Sequence, residues 1–316
     1  MLCICFLDLV RHRTAGNPQD EEIFWTHFSV KEIQEQMSEL GSPVSRHDVC
    51  NLMSYFKYKR RSLAKTDEPK KVENRNEQFE KIGRLKDNFL AQDYPVFSLD
   101  TKKKELLGNF HRSGKYFVTK TQSVYDHDFP SYSDGKVIPH GIYDIGDNKG
   151  YLSLGLSKDT SNFVCDNFEN FWINTLQWKY SEAEWVLFLC DSGGSNNCRH
   201  YLFKEDLYNL SQKLQINIMV AHYPTYCSKY NPIEHRLFPH IHRKWKGLVF
   251  KDIQIVKERA SKASTKTGLS VDVVINEREY PINRIYKPEF KKNIKQYIIF
   301  DEDLPLWNYY VKYKPL

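Results

Sequence analysis

The sequence predicts an α/β protein in which a mixed sheet is flanked by helices and preceded by a small helical region. Two short apolar runs, 185–190 and 216–220, are typical of buried strands. Between them, residues 199–214 place Leu and Phe side chains at the spacing of an amphipathic helix. Because a helix crosses between the two strands, we expect them to be parallel.

A further helix is predicted after the second of these strands. The segment Asn231-Pro232-Ile233-Glu234 has Asn at the N-cap, Pro at the first helical position and Glu three residues after the cap. The first strand stops at Asp191, which an Asp-Ser-Gly-Gly turn follows. Ligands of open α/β sheets gather at the carboxyl ends of strands, so Asp191 is a candidate site residue.

Three more strands and a helix are predicted upstream. The strand-like runs are 95–100, 136–143 and 150–156, and the aromatic-rich segment 160–178 follows as a helix. The first run ends at Asp100, a further acid. The element order becomes three strands, helix, strand, helix, strand, helix, with acids on the first strand, after the fourth and on the last helix. This is the order of an RNase H-like fold with three catalytic carboxylates.

A helical region is predicted before the sheet. Segments 29–40 and 45–56 each begin with Ser and carry an acid three residues later, and Gly41-Ser42-Pro43 joins them. With the basic run 57–65 behind it, this pattern predicts a helix-turn-helix, although a helical hairpin with a purely structural role has the same pattern. The candidate DNA-binding residues here are Arg46, His47, Asn51, Lys57, Lys59, Arg60 and Arg61.

Five motifs occur in the order of a known family: SLDTKKKELLGNF, HGIYDIGDNKGYLSLGLSKDT, CDSGGSNNCR, HYPTYCSKYNPIEHRLF and WNYY. The sequence therefore resembles the Rhodopirellula-type family of bacterial insertion-sequence DDE transposases, from about Thr14 to the C-terminus. Residues 1–13 match nothing in that family, whose members usually carry a further helical region upstream. We therefore expect this copy to be shortened at its N-terminus.

The resemblance implies a catalytic site that cuts and joins DNA. Asp100, Asp191 and Glu234 would be both the catalytic residues and the metal ligands, with Asp100 shared between two Mg²⁺ ions that Mn²⁺ could replace. The partners would be double-stranded DNA, both the element's terminal inverted repeats and the target. A homodimer or larger multimer on paired ends is also implied.

Each acid has a structural alternative. Asp100 could cap a turn, Asp191 could form an Asx-turn, and Glu234 could be only the capping-box partner of Asn231. The lysines after Asp100 could hold phosphates or form a solvent-facing hairpin edge. Further candidate DNA contacts are Lys102, Lys103, Lys104, Asn196, Arg199 and Arg236. Supporting positions beside the acids are Gly193, Gly194, Asn231 and His235.

Composition is compatible with these expectations without proving them. The formal net charge is +6, which suits nucleic acid but is not specific for it. The 7 cysteines are scattered, which favours a reducing cytoplasm. Zinc ligation by Cys190, Cys198, His222 and Cys227 fits no common spacing. The apolar start is too short for a signal peptide or membrane span, so we expect a cytoplasmic, nucleoid-associated protein without a membrane partner.

Four regions are expected along the chain. These are a helix-turn-helix region at 1–66, a linker and helix at 67–94, the catalytic domain at 95–250 and a C-terminal extension at 251–316. The extension contains strand-like residues 271–275 and 297–300. Its role could be either to pack on the sheet or to contact DNA. No nucleotide-binding glycine motif occurs, so ATP-driven chemistry is not indicated.

Three functions are compatible with this sequence. The first is a transposase acting on its own terminal repeats. The second is an RNase H-like nuclease without strand transfer, which the helix-turn-helix argues against because a general nuclease has little use for site selection. The third is a truncated, non-catalytic DNA-binding repressor of transposition, which the intact set of acids argues against.

Overall fold

A computed structural model of the chain describes residues 2–11, 14–17, 20–26, 28–59 and 72–313. The chain divides into two compact units, Met1–Asp67 and Glu68–Leu316. The candidate DNA contacts Arg60 and Arg61 lie outside the described residues.

The first unit is largely helical. Its elements are α1 (Leu2–Arg11), β1 (Thr14–Asn17), β2 (Asp20–Thr26), α2 (Val30–Glu39) and α3 (Arg46–Tyr55). Both predicted capping boxes form, because Ser29 pairs with Glu32 and Ser45 with Asp48 at the starts of α2 and α3. A small core of buried side chains joins α1 to α2 and α3: Phe6, Val10, Ile33, Met37 and Val49. The sequence did not predict α1 or the β1–β2 hairpin.

The second unit carries the sheet. Its strands are β3 (Val96–Thr101), β4 (Glu105–Leu107), β5 (Gly135–Asp144), β6 (Lys149–Gly155), β7 (Trp185–Cys190), β8 (Asn217–His222), β9 (Ser270–Asn276), β10 (Ile299–Phe300) and β11 (Asn308–Val311). Its helices are α4 (Arg75–Ala91), α5 (Ser161–Phe171), α6 (Gln177–Lys179), α7 (Tyr201–Leu214), α8 (Pro232–Arg236), α9 (Phe238–Trp245), α10 (Ile253–Ser261), α11 (Pro288–Lys292) and α12 (Ile294–Tyr297). A π-helical turn, Trp172–Leu176, links α5 to α6.

The strand order of the sheet is β10-β11-β8-β7-β3-β5-β6-β9, with β4 paired to β5. Strands β3, β7 and β8 are parallel, as the crossover helices predict. Strand β5 is antiparallel to both of its neighbours, β3 and β6. In chain order, the five central strands therefore run third, second, first, fourth, fifth across the sheet, which is the RNase H-like arrangement that the sequence predicts.

Helices cover both faces of this sheet. On one face, buried side chains of α5 and α7 pack on alternate residues of the strands; these include Phe97, Leu99, Phe168, Phe188 and Phe203. On the other face lie α4, α9 and α10, packed on the intervening residues through Ile82, Leu187, Leu152, Ile241 and Trp245. Alternate strand residues serve opposite faces, so both helical layers are needed to bury the sheet.

The C-terminal extension packs on the catalytic sheet. Strand β9 pairs in parallel with β6, and β11 pairs with β8. Where the sequence predicts a strand over 297–300, helix α12 instead runs to Tyr297 and only Ile299–Phe300 is extended. No helix in the described part of the chain is long and apolar enough to cross a membrane.

Candidate active site

Two of the three acids stand side by side at the end of the central strands. In the parallel pairing of β3 with β7, Leu99 is opposite Cys190. Asp100 and Asp191 are the next residues on the two chains, and neighbouring strands lie about 4.8 Å apart. Strand pairing therefore brings together two carboxylates that are far apart in sequence.

Helix α8 delivers the third acid through a buried clamp on β3. Ser98 Oγ donates to Asn231 Oδ1 at 2.5 Å, and Asn231 Nδ2 donates to the Leu99 carbonyl at 3.1 Å. The Ile233 amide donates to Ser98 Oγ at 3.0 Å. Because Ser98 and Asn231 are fully buried, these bonds fix the start of α8 beside Asp100, and Glu234 follows one residue after Ile233.

A glycine on β5 makes room for this helix. Gly141 pairs with Asp100 across the sheet. A Cβ atom at position 141 would lie 2.6 Å from a ring carbon of Phe238 and 2.8 Å from Ile233 Cδ1. The absence of a side chain therefore lets α8 and α9 pack directly on the sheet next to the acids.

The acids repel one another strongly. Burial, then the charges of Asp191 and Glu234, raise the pKa of Asp100 to about 9, and a hydrogen bond shared with Glu234 acts in the same direction. Burial also raises the pKa of Asp191 to about 6, with smaller contributions from Glu234 and Asp159. Burial and repulsion together therefore favour the protonated form of the Asp100 carboxyl group while no cation is bound.

These carboxylates are suited to a hard divalent cation. Mg²⁺ prefers carboxylate oxygens, and a bound cation would relieve the repulsion that raises the pKa values of Asp100 and Asp191. In the described part of the chain, no three His, Cys, Asp or Glu side chains already surround a common metal position. A cation would therefore compete with protons for these carboxylates.

A buried polar network supports the Asp191 turn. The Asp191 carboxylate accepts a hydrogen bond from the Gly193 amide, so the predicted Asx-turn and the catalytic role are compatible. The Asp191 carbonyl lies 2.8 Å from His222 Nδ1, and His222 Nε2 lies 3.1 Å from the Tyr309 hydroxyl. Because His222 is fully buried, its pKa falls to about 3 and the ring stays neutral. The C-terminal strand β11 thereby helps to hold the Asp191 turn.

The alternative roles of the other two acids have different outcomes. Asp100 Oδ1 accepts a hydrogen bond from the Thr101 amide at 2.7 Å, so a local capping contact exists beside the catalytic geometry. The predicted capping box at Asn231 and Glu234 does not form, because α8 has no side-chain cap. The Asn231 side chain is occupied in the clamp on β3. The tertiary contact has displaced the local one.

The candidate DNA contacts near the acids differ in exposure. Lys103 and Lys104 are exposed, whereas Lys102 is held 3.4 Å from Glu105 and over the Trp245 ring. A cavity of about 420 Å³ opens beside these lysines, and its other basic residues include Arg112, His242 and Lys246. Arg199, His235 and Arg236 are also exposed.

Asn196 differs from its expected role. It is only 2% exposed, inside the short 3-10 turn 194–196 that follows Asp191. Its side chain therefore does not reach the surface where a phosphate would lie. Gly194 has a φ of +58°, the left-handed conformation that a tight turn needs and that Gly adopts without strain.

In the first unit, the described candidates are exposed. Arg46, His47 and Asn51 lie on the outer surface of α3, and Lys57 and Lys59 follow it. The zinc ligands considered for the second unit form no metal-binding group among the described residues.

Four residues that position the acids were not identified from the sequence. They are Ser98, His222, Gly141 and Tyr309. Ser98 was the easiest of these to predict from the sequence, since it stands two residues before Asp100 and so faces the same side of the strand. His222 and Tyr309 depend on pairing between distant strands, for which the local sequence carries no signal.

A sheet in this order, with acids at the ends of its first and fourth strands and on a following helix, defines an RNase H-like protein with a DDE site. The chain belongs to the family described as the Rhodopirellula transposase DDE domain, whose model matches residues 6–313. The expectation that residues 1–13 match nothing in the family is therefore wrong for residues 6–13. No curated protein gives a match.

Solved structures of Mos1 transposase match part of this chain. The paired-end complex with left transposon end has 16% identity and a TM-score of 0.44, covering 81% of this chain and 68% of that one. The mariner paired-end complex with Mn has 17% identity and a TM-score of 0.43, covering 73% and 65%. The pre-cleavage transpososome has 13% identity and a TM-score of 0.43, covering 77% and 71%. This chain thus spans about two thirds of the length of those chains.

Proposed function

We propose that the protein is an insertion-sequence transposase that cuts DNA at the ends of its element and joins the freed 3′ ends to target DNA. The observation that carries the proposal is the meeting of Asp100 and Asp191 at one sheet edge, with the start of α8, which carries Glu234, fixed on the same strand. Family membership supports the same activity. The proposed regions are a DNA-binding first unit and a catalytic second unit.

The three acids would hold Mg²⁺ or Mn²⁺. When bound, such cations activate an oxygen nucleophile and stabilise the leaving 3′ oxygen. Asp100 interacts electrostatically with both Asp191 and Glu234, so it would hold the cations together with them. Asp191 and Glu234 would each complete one side of the site.

Buried residues around the three acids hold them in position. The Ser98–Asn231 clamp keeps α8 against β3, and His222 holds the backbone carbonyl of Asp191. The acids are therefore positioned by buried groups, which lowers the reorganisation needed when the substrate arrives. Exposed Lys103 and the basic cavity beside it would bind phosphates flanking the scissile bond.

The same site would perform both reaction steps. In cleavage, water attacks the phosphorus atom and the 3′ oxygen of the element's end leaves. In joining, the freed 3′ hydroxyl attacks a phosphorus atom of the target and displaces the 3′ oxygen of the target strand. DNA with the element's own ends, incubated with protein and Mg²⁺, should give cut and then joined products. Cut product alone would support a nuclease without strand transfer.

A further inference from the structure

A fourth acid lies near the turn that follows Asp191. Asp159 immediately precedes Thr160, the N-cap of α5, and its side chain is 17% exposed. The Thr101 hydroxyl donates to Asp159 Oδ1 at 3.2 Å. Thr101 directly follows Asp100 on β3, so this bond ties the loop before α5 to the strand that carries the central catalytic acid.

Asp159 also faces the turn that carries Asp191. It lines a cavity of about 390 Å³ together with Gly194 and Ser195, which follow that acid. Asp159 therefore shares a cavity with the turn that follows Asp191, and its charge can act through space on a cation bound at that turn.

The neighbours of Asp159 leave much of its charge uncompensated. His140 pairs with Thr101 across the sheet and is fully buried, and its ring nitrogens have no hydrogen-bond partner among the described residues. Burial lowers the pKa of His140 to about 4, although the charge of Asp159 opposes this, so the ring is neutral at pH 7. Lys104 Nζ is 3.8 Å from Asp159 Oδ2, and its side chain is 44% exposed, so solvent weakens this pairing.

We propose that Asp159 is a fourth acidic residue of the cation site, which strengthens cation binding by Asp100, Asp191 and Glu234 from the α5 side of the sheet. This inference rests on the proposed function, because it assumes that the three acids bind a divalent cation. The alternative is a surface ion pair with Lys104 that only fastens the loop before α5. The two explanations predict opposite effects for Lys104.

The test is Mn²⁺ binding to the full chain without DNA. The electron paramagnetic resonance signal of free Mn²⁺ measures the binding. Asp159→Asn should weaken binding roughly five-fold, as expected for a unit charge several ångströms from the cation. Lys104→Met should bind Mn²⁺ as tightly as wild type or more tightly, because it removes the positive charge beside Asp159. Thr101→Val should weaken binding by less than Asp159→Asn, since the acid keeps its charge but loses its anchor.

The outcomes separate this inference from the proposed function. Unchanged binding by Asp159→Asn would overturn the inference, as would Lys104→Met weakening binding as Asp159→Asn does. Asp191→Asn serves as the reference, and Mn²⁺ binding that is absent in wild type or unaffected by this change would overturn both proposals. Melting temperatures without metal check folding. If Asp159→Asn does not fold, the opposite shifts expected of Lys104→Met and Thr101→Val decide the matter.

Discussion

At the residue scale, the acids occupy positions where their own charge is unfavourable. Asp100 is held among Asp191, Glu234 and buried surroundings, and its pKa rises to about 9 for that reason. A carboxyl group whose pKa is higher in the folded than in the unfolded chain lowers stability as pH rises. The site therefore costs stability in the absence of cations, as is common where function sets the charges.

Asp100→Asn should therefore stabilise the metal-free protein. The folded chain binds more protons than the unfolded chain between the ordinary Asp pKa of 3.8 and about 9, so the cost of Asp100 grows as pH rises through that window. We expect a gain of about 1 to 3 kcal/mol in the free energy of unfolding at about pH 7.5, shrinking towards pH 4. Denaturant unfolding at several pH values measures it.

A matched control is Asp87→Asn, which removes the same charge from a side chain that is 73% exposed. This variant should unfold as wild type does across the same pH range. Added Mg²⁺ should stabilise wild type more than Asp100→Asn, since binding to the folded state raises its stability. A loss of stability at pH 7.5 in Asp100→Asn would contradict the repulsion described for the site.

At the element scale, the position of Glu234 depends on how α8 and α9 lie on β3 and β5. Two features set this contact: the buried Ser98–Asn231 clamp and the missing side chain at Gly141. Neither is a conventional catalytic group. Both determine whether a short helix can hold its acid against the sheet.

Gly141→Ala should displace that helix. The added methyl group would meet Phe238 and Ile233 at distances under 3 Å, so we expect a loss of about 1 to 3 kcal/mol in unfolding free energy. Metal-dependent DNA cleavage should fall further than stability alone explains, because Glu234 moves with the helix. Chemical denaturation and a cleavage assay under conditions where the variant is folded test the two effects.

The control for this change is Gly83→Ala in α4. A Cβ atom there meets nothing within 4 Å, and Ala is favoured over Gly inside a helix by up to about 1 kcal/mol. Gly83→Ala should thus be neutral or stabilising and should leave cleavage unchanged. Equal effects of the two alanines would mean that close packing at position 141 is not important.

Elements with a strong local pattern were predictable from the sequence. The predicted strand over β7 and the predicted Leu and Phe stripe of α7 match the structure closely. Burial of a strand and of one helix face each require a hydrophobic pattern that is visible in the local sequence. The sequence offers a capping box at Asn231 and Glu234, and its absence was not predictable, since a distant strand binds the Asn231 side chain. The order of elements predicted that Asp100 and Asp191 lie at the ends of strands in one sheet, but the register that aligns them was not predicted.

At the scale of the whole molecule, the two proposed functions fall on different units, DNA recognition on the first and catalysis on the second. The first unit carries exposed polar residues on α3, and the second carries the acids. Its C-terminal strand β11 completes the sheet, with Tyr309 bonded to the histidine that supports the Asp191 turn. The C-terminal extension is therefore part of the structure that holds the candidate active site.

Changing α3 should affect DNA recognition alone. Replacing both Arg46 and Asn51 with Ala should weaken binding to the element's ends roughly ten-fold or more, with little change in melting temperature because both side chains are exposed. Lys31→Ala on α2, whose side chain is 81% exposed and paired with Glu35, is the matched control. Fluorescence anisotropy with end and scrambled DNA measures the difference. Equal loss on both DNAs would contradict specific recognition by α3.

The most direct test of the central claim compares wild type with Asp191→Asn on labelled DNA that carries the element's own end. With Mg²⁺ or Mn²⁺, wild type should cut this DNA and join it to a target, and chelation should abolish both reactions. Asp191→Asn should remain folded and bind the DNA while losing cleavage by roughly 10²-fold or more. Metal-dependent cleavage that survives in Asp191→Asn, or a folded wild type that binds the end without cutting it, would contradict a catalytic DDE site.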